Sequence, residues 1–182
     1  MVAESVLALG AGIAARSVLL TAFGADSVVE LLSGLVLLRR LSVEAQGRSA
    51  VAVARLEQRT ARISAVLLLL LCAYVVLTSA AGLLLGAKPD ASPLGIGVTA
   101  AAVVAMPLLA WAKTRANRTI ASASLRADIA ETVTCAYMAA VTLVGLIASM
   151  AVGLWWVQYV AALALLVWLV PETREALSPD RD

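Results

Sequence analysis

Asp26 and Glu30 lie four residues apart inside the apolar run LLTAFGADSVVELLSGLVLLRR. Residues four apart share a face of a helix, so the two acids stack, and Ser33 and Gly34 continue their stripe. A second apolar run contains ADIAETVTCAY, in which Asp128, Glu131 and Cys135 fall at spacings of three and four, with Thr132 beside them. A charged side chain at the centre of a membrane helix costs about 2.5–3.5 kcal/mol on insertion scales. Acids kept at that cost mark an ion or proton site facing the interior of a helix bundle.

Blander readings stand beside this one. Asp26 and Asp128 could cap helix N-termini at the membrane surface, where acids are favourable. Arg126 offers Asp128 a counter-ion, whereas no cation lies within reach of Glu30 along its own helix. Glu4, near the start of the first apolar run, reads as an interfacial acid or as an acid at the cytoplasmic entrance. A buried free cysteine is usually a small hydrophobe, and Cys72 is read so. Cys135 differs because it lies one turn beyond Glu131 on the acid-bearing face.

Oxygen ligands with one thiolate suit a divalent first-row metal better than Na⁺ or an organic cation. Three carboxylates and a thiolate carry four negative charges against two on the metal, and such ligands bind deprotonated. Metal binding must then release protons, which is the basis of metal/proton exchange. The chain has no histidine, so the exchanged protons fall to the carboxylates or the thiol, whose proton affinity rises with desolvation and mutual repulsion.

The elements that position these residues follow from composition. The 182 residues are 62% hydrophobic and only 14% charged, with a mean hydropathy of +0.96. A soluble domain carries about a quarter charged residues, so the chain reads as an all-α, multi-pass integral membrane protein. A net charge of +2 with no basic, aromatic-interleaved patch argues against nucleic-acid binding. Both cysteines lie in apolar runs, which argues against a disulfide framework. The N-terminus lacks a basic leader and a cleavage pattern, so its apolar run is expected to be a retained span.

A span needs about 20 apolar residues. Six are expected, at roughly 2–20, 21–38, 63–85, 94–111, 128–152 and 154–170. They form a transport domain over 1–171, with 172–182 as a short cytoplasmic tail. Gly24 is available for a tight TAFGAD turn between the first two, and GAKPDASP separates the third and fourth. Pro107 predicts a kink in the fourth. Arg39, Arg40, Arg48, Arg55, Arg59 and Arg62 follow the second span, and Lys113, Arg115, Arg118 and Arg126 follow the fourth. The opposite loops offer Lys88, with Arg16 near the end of the first span, so both termini are expected in the cytoplasm. The connector after the second span is expected to continue as helix, with Val51, Val53 and Leu56 as apolar contacts. Trp155 and Trp156 would anchor the outer interface. Two groups of three spans place the acid-bearing helix second in each half, a recurring transporter arrangement.

FGADSVVELLSG, SLRADIAETVTCAYMAAVTLVGL and GLWWVQYVAALAL resemble the second, fifth and start of the sixth helices of the cation diffusion facilitator, or cation efflux, family of divalent-metal/proton antiporters. The resemblance implies six transmembrane helices and a homodimer. It places Asp26 and Glu30, then Glu131 and Cys135, at the family's four metal ligands. Cys135 stands where the family usually has Asp, Glu131 where it has His or Asp, and Gln158 where it often has an acid. The family's cytoplasmic metal-binding domain has no counterpart after Pro171, which implies a compact branch lacking it.

The expected activity is export of a divalent cation, Zn²⁺ first, with Fe²⁺, Mn²⁺, Co²⁺ and Cd²⁺ open, in exchange for protons. Asp26, Glu30, Glu131 and Cys135 would form a roughly tetrahedral site, with Asp128 and Glu4 as proton-handling or entrance acids. No prosthetic group is expected, and no nucleophile–base pair or phosphate loop suggests an enzyme. The expected surroundings are the lipid bilayer of a bacterial plasma (inner) membrane. A passive cation channel and a non-transporting membrane scaffold are the alternatives.

Overall fold

The computed structural model of the chain describes residues 2–45, 50–90, 92–120 and 123–177. Among these run six helices: α1 (Val2–Ala14), α2 (Val18–Ala45), α3 (Ala50–Leu85), α4 (Pro93–Ile120), α5 (Ala123–Val152) and α6 (Val157–Leu177). By length and composition, Val18–Arg39, Ala65–Leu85, Pro93–Thr119 and Asp128–Val152 can each cross a membrane; Val2–Ala14 and Val157–Pro171 are shorter apolar helices. At about 1.5 Å per residue, α1 rises only about 20 Å.

The first connection differs from the expected one. The chain turns at Ala15–Ser17, where Arg16 takes a left-handed φ of 51°, and not at Gly24. Ser17 caps α2, its Oγ accepting the Leu20 amide at 3.3 Å. Gly24 therefore lies inside α2, where a Cβ would stand 2.6 Å from the Leu9 amide nitrogen of α1. Its small size serves close helix packing, the usual reason for Gly at membrane helix contacts. Asp26 sits two turns into α2 and does not cap it.

The other ends follow local rules. α3 stops at Gly86, with φ 63°, where the Ala87 amide donates back to the Gly82 carbonyl at 3.0 Å. This is the glycine-terminated helix end that the GAKPDASP run suggests. Ser92 caps α4 by accepting the Gly95 amide at 3.0 Å, and Pro93 occupies the first helical position, where its missing N–H costs nothing.

Elsewhere the helices outrun the apolar spans, because the backbone ladder continues through polar residues after hydropathy has fallen. α4 passes Pro107 and reaches Ile120, so Lys113, Arg115 and Arg118 are helical and not loop residues. α6 starts at Val157 and passes Pro171 to Leu177. The connector is helical on both sides, α2 to Ala45 and α3 from Ala50. Arg48, the tail residues 178–182, and the side chains of Arg40, Val51, Val53, Arg55, Leu56, Arg59 and Arg62 lie outside the described residues.

α2 is the hub, packing on α1, α3, α5 and α6. Its Leu19, Leu20 and Phe23 are buried with Met138 and Leu146 of α5 and Leu165 and Leu169 of α6. Leu69, Leu70 and Leu77 of α3 and Val104, Leu108 and Trp111 of α4 face outward. An apolar exterior of that extent matches a lipid environment and not water.

Candidate functional site

Two close approaches set how α2 lies on α5. A Cβ on Gly145 would stand 2.6 Å from Leu19 Cδ2, and one on Gly34 would stand 3.9 Å from Asp128 Oδ1. The helices are therefore antiparallel, and residues 19–34 of α2 run beside 128–145 of α5. Asp26 and Glu30 fall within this stretch, level with residues 132–137. α1 follows the same logic on the other side of α2. Gly12 abuts Thr21 and Gly24 abuts Ala8 and Leu9, so continuing that register brings Glu4 alongside residues 28–29.

Of the acids expected to line a bundle interior, Asp26, Glu30 and Asp128 are buried and Glu131 is only half-buried. Asp26 is 5% exposed, Glu30 2% and Cys135 1%. Cys135 interacts electrostatically with Glu30, Asp26 and Glu4, and Glu4 with Glu30. The Cys135 thiol lies beside the Glu30 carboxyl. Neither carboxylate oxygen of Glu30 has a hydrogen-bond partner among the described residues. A buried carboxylate left so is costly. Its lone pairs suit a cation or a proton that comes and goes.

Helix α5 turns a stripe of Asp128, Thr132, Cys135, Ala139, Thr142 and Leu146 inward, all buried. Glu131 flanks this stripe and is half-buried. Among the described residues, no three His, Cys, Asp or Glu side chains converge closely enough to chelate a metal ion. Asp26, Glu30 and Cys135 thus lie buried near one another along the α2–α5 seam without forming a closed coordination sphere.

Asp128 has a different partner from the one its neighbourhood in sequence suggests. Arg126 is exposed. Lys113 of α4 instead brings its Nζ to 2.7 Å from Asp128 Oδ2 and donates to Thr132 Oγ1 at 2.7 Å. Thr132 in turn donates to the Asp128 carbonyl at 2.9 Å. Asp128 lies beyond the first turn of α5, so it does not cap that helix. The pairing with Lys113 was not legible because the charge sits on another helix, beyond the apolar part of α4.

Gln158, at the position where an acid is often found in the resembling family, is buried and fully engaged. Its Oε1 accepts from Ser17 Oγ at 2.7 Å and its Nε2 donates to Ser149 Oγ at 3.2 Å. Cys72, expected in the core, is half-buried with its Sγ 3.7 Å from Thr173 Oγ1. Trp155 packs edge-on against Tyr159 with ring centroids 6.1 Å apart, and Trp156 is exposed.

No protein of curated function matches the chain by sequence. The family model described as the cation efflux transmembrane domain matches residues 3–179 of the 182-residue chain, and the chain, an integral membrane protein, belongs to the cation efflux family of divalent-cation transporters.

Proposed function

We propose that the chain exports a divalent metal, Zn²⁺ foremost, in exchange for protons. The observation that carries this reading is Glu30: an acid 2% exposed, with both oxygens lacking a partner among the described residues, beside Asp26 and the Cys135 thiol. A mixed oxygen and sulfur set suits a borderline-soft ion such as Zn²⁺, which favours four ligands in a tetrahedron. Glu131 is the fourth ligand in this reading. Fe²⁺, Mn²⁺, Co²⁺ and Cd²⁺ are the competitors.

Among the described residues no three acid or thiol side chains converge on one point, so in this reading binding pulls α2 and α5 closer around the ion. That movement supplies the coupling for alternating access. The site binds metal with its carboxylates ionised and regains protons when the metal leaves, so one cycle exchanges metal for protons. The arginine- and lysine-bearing connectors lie in the cytoplasm, the membrane is a bacterial plasma membrane, and two copies associate through transmembrane contacts. No enzymatic step is involved.

The test is metal flux into vesicles holding the purified protein under an imposed pH gradient. Asp26→Asn and Glu30→Gln should each slow flux at least tenfold. Rates equal to the parent would remove these acids from the transport site. Flux that persists undiminished with pH clamped equal on both sides would make the protein a passive channel.

A further inference from the structure

The Lys113–Asp128 pair joins the last third of α4 to the early turns of α5, at one end of the α2–α5 seam that carries Asp26, Glu30 and Cys135. Asp128 lies seven residues before Cys135 on the same buried stripe, two turns or about 10 Å away. Gly34 faces it from α2, and a Cβ there would only reach van der Waals contact with Asp128 Oδ1 at 3.9 Å. Along the α2–α5 seam from this end, Asp128 is therefore met before Glu30, Asp26 and Cys135.

Lys113 holds that acid from the side. Its side chain is 20% exposed and that of Asp128 8%, so the pair sits at the edge of the protein interior with the lysine on the wetter side. An ammonium has three donors, and two are used across the α4–α5 contact, on Asp128 and on Thr132. With Lys113 in place, the first acid on the path is neutralised and a positive charge faces any approaching cation. A lysine on a flexible stem gives up a carboxylate to a divalent ion more readily than a bidentate arginine would.

We infer that Lys113 is a cation-displaceable latch on the cytoplasmic mouth of the transport path. An arriving divalent cation takes Asp128 from the ammonium, the lysine swings toward water, and the α4–α5 contact loosens at the end of the α2–α5 seam. This rests on the reading of Asp26, Glu30 and Cys135 as the transport site. Lys113 acts through Asp128 and is a positioning residue, not a metal ligand.

Access can be read separately from flux. The chain has two cysteines, so a Cys72→Ser protein reports on Cys135 alone. The probe is a membrane-impermeant methanethiosulfonate applied to vesicles of each orientation, without metal. In the otherwise unchanged protein, and with Lys113→Arg, modification from the cytoplasmic face should be slow. Lys113→Gln and Asp128→Asn should each speed it at least tenfold from that face and leave the other face unchanged. The exchanged pair Lys113→Glu with Asp128→Lys should restore protection. Unchanged rates in both single variants, or acceleration from both faces alike, would overturn the latch. So would loss of the folded protein in both single variants with recovery in the exchanged pair, which would make the contact a structural clamp. Because labelling measures entry and not exchange, the result stands whether or not the protein couples metal to protons.

Discussion

Ser17 Oγ donates to Gln158 Oε1 at 2.7 Å across 141 residues of sequence, joining the α1–α2 turn to the first turn of α6. Both side chains are buried. Ser17→Ala leaves a buried amide oxygen without its donor, for which about 1–3 kcal/mol is typical. Hydrogen bonds within membrane bundles average nearer about 0.6 kcal/mol, so a loss of about 1 kcal/mol is expected for Ser17→Ala. Gln158→Leu, which strands Ser17 and Ser149 together, should cost more. Unfolding in mixed detergent micelles measures both.

Gly82, the one glycine of α3, packs against α6. A Cβ there would stand 2.3 Å from the ring of Tyr159, whose hydroxyl donates to the Ala87 carbonyl at 3.0 Å. Gly82→Ala must displace the ring and with it that hydrogen bond. Overpacking of this kind costs about 1–3 kcal/mol. Gly97→Ala, in helix α4 with nothing within 4 Å, should be neutral or slightly stabilising, because alanine is the better helix former. Equal stability for the two variants would contradict the packing described.

In the proposed site, the Cys135 thiol is the group that selects among metals. Removing its sulfur in Cys135→Ser should weaken Zn²⁺ and Cd²⁺ binding at least tenfold while changing Mn²⁺ little. Cys135→Asp should shift preference toward harder ions, since an all-oxygen set favours them. Calorimetric titration of the detergent-solubilised protein with each metal checks this. An unaltered ranking in both variants would exclude the thiol as a ligand.

Binding should also track pH in a defined direction. Ligands that bind deprotonated compete with protons, so apparent metal affinity should rise as pH rises and fall as it falls. Titrations in buffers of different ionisation enthalpy count the protons released per metal. Glu30→Gln should lower that count along with the affinity; a count independent of Glu30 would place the exchanged proton elsewhere.

The candidate site was legible in part in the sequence, where chemistry and helical period coincide. Spacing puts Asp26 with Glu30, and Asp128 with Glu131 and Cys135, on common faces; Asp26, Glu30, Asp128 and Cys135 are buried, whereas Glu131 flanks the α5 stripe and Thr132 takes its place there. Lys113 was hidden because apolar character ends near Trp111 while the helix runs on to Ile120. Hydropathy marks where lipid contact stops, whereas hydrogen bonding decides where a helix stops. Gly24 misleads in the opposite sense. A glycine between two apolar runs looks like a turn, yet the turn fell to Arg16, and Gly24 lets α1 approach α2. Glu4 stands at the start of the first apolar run, and the register carried by Gly12 and Gly24 brings it near Glu30 of α2, a proximity between helices that spacing along one helix does not show.

The end of the bundle opposite Lys113 is cross-tied. Asp90 donates its amide to the Ala15 carbonyl at 2.8 Å, Tyr159 reaches Ala87, and Ser17, Gln158 and Ser149 form a chain. These ties join the α1–α2 turn, the α3–α4 loop and the start of α6. Helices fastened together at one end part like the arms of forceps, with displacement growing along their length. Residues near Ser17 should then move least when the Lys113 end opens and those near Asp128 most, so in the proposed cycle release at the far end requires these ties to part in turn.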